Sequence, residues 1–222
     1  MPFFRGPVLF AALLAAAPSS ALATDFYAGV KGGVGLSGFW GANAGDSAGF
    51  TDNVRAGFCG GFVGVAQLSD NIGLQAELLY AQKGKSSSGD FATFAIQNDW
   101  KSDYLEIPVL CRLCYPLKGS RVLVYAGPSL SFLLSSTLTV TRTDEGGLQT
   151  VSSENTWGGT SAYDAGLAVG GGMEFEIPTG EIIFDVRFTP GFVTMDRETG
   201  QDKQLDIKNY LVSFMVGYAF KF

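Results

Sequence analysis

Apolar residues recur at every second position along most of this chain, in one short run after another. From Phe26, one parity carries Phe26, Ala28, Val30, Gly32, Val34 and Leu36, and the other Tyr27, Gly29, Lys31, Gly33, Gly35 and Ser37. From Tyr104, Leu105, Ile107, Val109, Cys111 and Leu113 alternate with Glu106, Pro108, Leu110 and Arg112. From Tyr163, Leu167, Val169, Met173 and Phe175 alternate with Asp164, Gly170, Glu174 and Glu176. From Ile182, Phe184, Val186 and Phe188 alternate with Asp185 and Arg187. Successive side chains of a strand point to opposite faces, so these runs are strands with one apolar and one polar face. The pattern predicts about eight, over 26–37, 54–68, 72–84, 102–115, 122–138, 160–177, 181–193 and 207–222. Each is near or above the roughly 9–11 residues that cross a bilayer when tilted.

The connections alternate in length. Ser69-Asp70-Asn71, Lys118-Gly119 and Thr179-Gly180 read as tight turns, with Gly or Asn available for a positive φ. The others, 38–53, 85–101, 139–159 and 194–206, read as long loops rich in Gly, Ser, Thr, Asn and Asp. Short turns on one rim and long loops on the other is the asymmetry of a transmembrane β-barrel.

A soluble lipocalin-type barrel would alternate with the opposite sense, apolar inside. Three features favour apolar outside. The apolar parity carries almost no charge, as lipid contact demands, since a charge near the midplane costs about 2–4 kcal/mol. The polar parity is rich in Gly, Ser and Ala with charges of both signs, which suits a crowded interior. The last residues, MVGYAFKF, keep the apolar parity to Phe222.

The composition agrees. The chain is 46% hydrophobic and 16% charged, yet no stretch after the N-terminus is long enough for a membrane helix. The longest, Val122 to Leu134, is broken by Gly127-Pro128 and by serines. Residues 1–23 read as a cleaved signal peptide. Arg5 is followed by VLFAALLAAA and then the small-x-small site Ala21-Leu22-Ala23, so residues 24–222 form the predicted barrel domain. A net charge of -6 argues against nucleic acid. The three cysteines, Cys59, Cys111 and Cys114, are expected to be free, because residues three apart on a strand point to opposite faces.

Chemistry is sparse. The sequence contains no histidine, which removes Ser-His and Asp-His arrangements and the commonest zinc ligand. We expect no enzyme activity, no cofactor and no metal site. Lys31, Glu77, Glu106, Arg112, Asp164, Glu174, Glu176, Asp185 and Arg187 share the polar parity and are expected to form a charge network in the lumen. A Thr179-Gly180 turn would set Glu174 opposite Asp185, and a Lys118-Gly119 turn would set Arg112 opposite Tyr125. Arg112 and Arg187 would then tie Glu77, Glu106, Glu174 and Asp185 together and plug the barrel. Among the loop aromatics, Trp100 and Trp157 read as an interfacial girdle, and Phe91 and Phe94 as contacts for a partner or lipopolysaccharide.

Several stretches resemble a known family. They are GLQAELLYAQKG from Gly73, YLEIPVL from Tyr104, YAGPSLSFLLS from Tyr125, YDAGLAVGGGMEFEI from Tyr163 and KNYLVSFMVGYAFKF from Lys208. Together they are similar to the PorT-like outer-membrane β-barrel family, of the Bacteroidetes type. Ala76 stands where that family often has proline. The resemblance implies an eight-stranded antiparallel up-and-down outer-membrane barrel, and links the founding member to protein secretion. Tyr218, Phe220 and Phe222 resemble the C-terminal signal that such barrels present to the barrel-assembly machinery.

The expectation is therefore an all-β, monomeric barrel in the cell outer membrane, with lipid, lipopolysaccharide and the assembly machinery as its contacts. Its role would be structural or accessory, in support of protein secretion or surface assembly. The alternatives are a surface binding module acting through the long loops and a small channel.

Overall fold

The computed structural model describes residues 25–42, 44, 49–195 and 206–222. The predicted signal peptide lies outside them. The elements in chain order are β1 (Asp25–Trp40), β2 (Thr51–Gln67), β3 (Ile72–Phe91), β4 (Phe94–Leu117), β5 (Ser120–Asp144), β6 (Gln149–Asn155), β7 (Tyr163–Ile177), β8 (Gly180–Pro190) and β9 (Lys208–Lys221). There is no helix among the described residues.

Eight strands close into one antiparallel ring. Each pairs with the next in the order β1, β2, β3, β4, β5, β7, β8, β9, and β9 returns to β1. That seam runs from Tyr27 opposite Lys221 to Trp40 opposite Lys208. The ninth strand, β6, stands outside the ring and pairs with the far end of β5.

The alternation sets the faces. Val30, Phe62, Val109, Val124, Val186 and Phe214 are exposed on the outer wall. Leu79, Leu110, Tyr104, Lys31, Arg112 and Arg187 are buried inside. Cys111 is exposed on the wall, Cys59 and Cys114 are buried, and all three are free.

Two sequence expectations need correction. The turn between β7 and β8 is Pro178-Thr179, because Ile177 pairs with Gly180. Proline fits the first central position of a turn, where its fixed φ is already the one required. The register therefore sets Asp185 opposite Gly172 and Glu174 opposite Ile183, not against each other. The Lys118-Gly119 turn does place Arg112 opposite Tyr125, with Gly119 at φ 75°.

The second correction concerns the long connections. Residues 85–101 and 139–159 are mostly strand. β3 continues to Phe91 and β4 begins at Phe94, so only residues 92–93 turn. β5 runs on to Asp144 and folds back as β6. β5 is 25 residues long and β4 is 24, whereas β8 is 11. The excess stands above the ring as a twisted sheet of β2, β3, β4, β5 and β6, here termed the blade.

Candidate functional site

Two regions hold the functional candidates: the lumen and the blade. The lumen is packed with ion pairs in three layers. In the middle layer Arg187 grips Glu77 with two parallel bonds, Nη1 to Oε2 at 2.8 Å and Nη2 to Oε1 at 2.9 Å. Lys31 Nζ lies 2.7 Å from Glu77 Oε1 and 2.9 Å from Asp185 Oδ2. The Tyr125 hydroxyl donates to Asp185 Oδ1 at 2.8 Å and accepts from Arg187 Nε at 3.2 Å. Gln75 also donates to Glu77.

Towards the short turns, Arg112 Nη2 donates to Glu174 Oε1 at 2.5 Å. Arg121 pairs with Glu181, reaches Glu174 Oε2 at 3.3 Å, and lies over the Tyr27 ring. Towards the long connections, Lys83 Nζ is 2.5 Å from Glu106 Oε1, and Ser131 donates to the same oxygen at 3.2 Å. Asp164 accepts from the Val193 amide at 3.1 Å and holds the segment after β8 against β7.

The arginines therefore do not gather all four predicted carboxylates. Glu106 belongs to Lys83, because it sits one layer higher than either guanidinium pair. Glu176 is exposed. It pairs with Glu181 in the ladder two positions before the turn, at the rim where the wall no longer encloses it. Lys83, Arg121 and Glu181 are members of the network that sequence reasoning missed. All three lie on the polar parity near the predicted strand ends: Arg121 falls one residue outside the predicted strand 122–138, while Lys83 and Glu181 fall just inside the predicted strands 72–84 and 181–193.

A buried ion that loses its partner costs several kcal/mol, so such groups must be paired across the lumen. Eight strands leave an interior just wide enough for side chains to fill. Arg112 is 0% exposed and Arg187 3%, so these charges occupy the channel rather than line one. No group of three metal-ligating side chains occurs among the described residues.

The blade has two unlike faces. Trp100, Ile96 and Phe94 of β4 share a face with Leu138 and Val140 of β5. This face continues the lumen side of both strands. Trp100 makes an edge contact with Phe39 there and donates to Ser136, so it is no part of an outer girdle. The opposite face carries Gln97 and Asp99 of β4, then Thr137, Thr139, Thr141 and Thr143 of β5, then Ser153 and Val151 of β6. At the tip, Phe91 stacks on Phe94 at 5.0 Å and meets Phe50 at 5.7 Å. Arg142 covers Phe94 at 4.3 Å.

A family model described as outer membrane protein beta-barrel domain matches residues 17–197. The chain belongs to that family. No curated protein matches the sequence. Among solved structures, Neisserial surface protein A is 14% identical, with 89% of this chain and 97% of that one covered and a TM-score of 0.46. OprG from Pseudomonas aeruginosa is 13% identical, over 90% and 97%, at 0.45. Ail of Yersinia pestis, solved with a heparin analogue, is 13% identical, over 88% and 99%, at 0.42.

Outer-membrane barrels embed in lipid, so the outer wall is the lipid face. The blade lies beyond the lipid on the side of the long connections. Tyr218, Phe220 and Phe222 close that wall at the opposite end, beside the short turns. Tyr218 and Phe220 meet edge to face at 4.7 Å, and the Phe222 amide donates to the Phe26 carbonyl at 2.9 Å.

Proposed function

We propose that this outer-membrane barrel is a non-conducting, non-enzymatic anchor that presents a binding sheet at the cell surface. The single observation carrying this reading is the contrast in strand length. β4 and β5 are about twice what a bilayer needs, while the lumen beneath them is filled with paired charges. A chain that served as a pore would not fill its bore. A chain that served only as wall would not extend two strands past it.

In this reading the accessory role, including support for secretion or surface assembly as the PorT-like resemblance suggests, is exercised through the blade. Phe91, Phe94 and Arg142 at its tip are the aromatic and cationic contacts offered to a protein or to lipopolysaccharide. The lumen network of Lys31, Glu77, Glu106, Arg112, Asp164, Glu174, Asp185 and Arg187 is structural.

Two measurements test this. Purified protein in planar bilayers should show no resolved single-channel current, and stable conductance would revive the channel alternative. A photo-crosslinking residue placed at Thr141 should capture a surface protein in living cells, while the same residue at Val109 should capture none. Identical products from both positions would remove the blade as the binding element.

A further inference from the structure

The outermost strand of the blade, β6, is paired on one side only. Its seven residues, Gln149 to Asn155, bond β5 from Thr143 to Thr137, and β5 is its only strand partner among the described residues. All seven are exposed, with Val151 at 61%. A free edge is a row of unpaired N–H and C=O groups, which natural proteins blunt with lysine, proline, a bulge or a cover. The sequence QTVSSEN has no lysine and no proline, and its ladder to β5 runs without a register break.

We propose that this edge takes the β6 edge of a second copy of the chain carried by a facing membrane, in an antiparallel ladder centred on Ser152. This rests on the blade reading above and names its partner. Two arguments select the occupant.

The first is side-chain matching. Centring on Ser152 sets Gln149 against Asn155, Thr150 against Glu154, and Val151 against Ser153. Amide meets amide, and the strand's one charge meets a hydroxyl rather than its own copy. The two Glu154 carboxylates would stand four positions apart along the ladder, about 14 Å, beyond a Debye length of about 8 Å at physiological ionic strength.

The second is symmetry. Two copies in one membrane share a two-fold axis along the membrane normal. Strands tilted by about 35–45° would then cross at about 70–90°, and no ladder forms. Copies in two facing membranes share a two-fold axis in the plane between them. With that axis normal to the blade, the operation reverses strand direction at any tilt within the blade and gives an antiparallel pair. The edge is thus closed to a neighbour in the same membrane and open to one opposite.

The test uses cells displaying the full-length protein, in two populations with different fluorescent labels. Wild-type populations should co-cluster. Val151→Lys with Ser153→Lys sets lysine against lysine twice across the dyad and should weaken clustering about tenfold. Val151→Glu with Ser153→Glu should do the same. Mixing the lysine cells with the glutamate cells should restore co-clustering, because each pair is then of opposite sign. Loss in both variants without restoration on mixing would overturn the copy-to-copy ladder, as would clustering that persists in either variant alone. Ser152→Cys gives a second readout. A disulfide-linked dimer containing both labels is expected, and its absence from well-clustered cells would also count against the proposal. If wild-type cells fail to cluster while Thr141 still crosslinks a surface protein, this inference falls and the blade reading stands.

Discussion

In the barrel, β4 is apolar at odd positions and polar at even ones. In the blade the same strand carries the reverse. Leu105, Ile107 and Val109 face outward below, while Gln97, Asp99 and Lys101 do so above. Inward, Glu106 and Arg112 give way to Trp100, Ile96 and Phe94. β5 repeats the exchange, from Val124 and Leu130 outside to Thr137, Thr139 and Thr141 outside. The two strands stay paired on both sides of one register break, so the change marks a change of solvent. Where hydrocarbon surrounds the wall, polar groups must go inside. Where water surrounds it, the apolar groups turn towards the axis. The switch falls near Asp103, whose carboxylate accepts from Ser135 at 2.8 Å beside the register break in β4–β5. The outer limit of the hydrocarbon is thereby written into two strands.

This comparison can be broken at several strengths. The largest effect is expected in the lumen. Arg187→Met strips Glu77 and Asp185 of their shared guanidinium and should cost about 3–5 kcal/mol in urea unfolding from lipid bilayers. Arg142→Met removes an exposed pair on the blade and should cost about 0–1 kcal/mol. Equal losses would erase the distinction between the two regions.

Next comes the lipid face. Arginine at Val109, Leu167 or Val186 should destabilise insertion by about 2–4 kcal/mol. Arginine at Thr139 or Gln97, on the same outward parity but above the switch, should stay within about 0.5 kcal/mol. A large penalty at Thr139 would move the hydrocarbon boundary up into the blade.

The third concerns delivery rather than stability. Deleting Phe222, or Phe220→Lys, should lower the amount of protein reaching the outer membrane and leave it protease-sensitive in the periplasm. Thr141→Lys should leave that amount unchanged. Normal outer-membrane levels of the terminal variants would remove the assembly role of these aromatics.

The smallest effect is at the rim where the end of β1 meets the start of β9. The Lys208 ammonium bonded to Asp206, together with the Ala42 amide, holds the Asp206 carboxyl below its usual range. A depressed carboxylate stabilises the folded state above its unfolded value of about 3.9, and that contribution fades as pH falls through the lower folded value. The Ala42 amide resonance should therefore stay constant at neutral pH and shift only under strong acid. Movement near pH 6 would assign the contact to another group.

How much of this could be read from residues alone follows the same division. The ring was legible because lipid enforces parity, as at Val109 or Leu167, and parity needs no knowledge of neighbours. The lumen was half legible. Arg112 opposite Tyr125 follows from one turn. Setting Glu174 against Asp185 assumes a Thr179-Gly180 turn, and a shifted turn shifts every pair beyond it. The blade was not legible. Serines 86–88 have little strand preference of their own and are held by β2 and β4 on either side. Thr137, Thr139 and Thr141 alternate with Leu138 and Val140 in a strand pattern, but the Thr-, Ser- and Gly-rich composition of 139–159 reads as loop.

The seam between β1 and β9 joins strands almost 200 positions apart in the sequence. No shorter piece of the chain can complete the circle. Until β9 arrives, β1 has an open edge, and Lys31 has no wall to its side where Gly217 will stand. The wall around the lumen charges is therefore whole only when the last strand of the chain lies against the first.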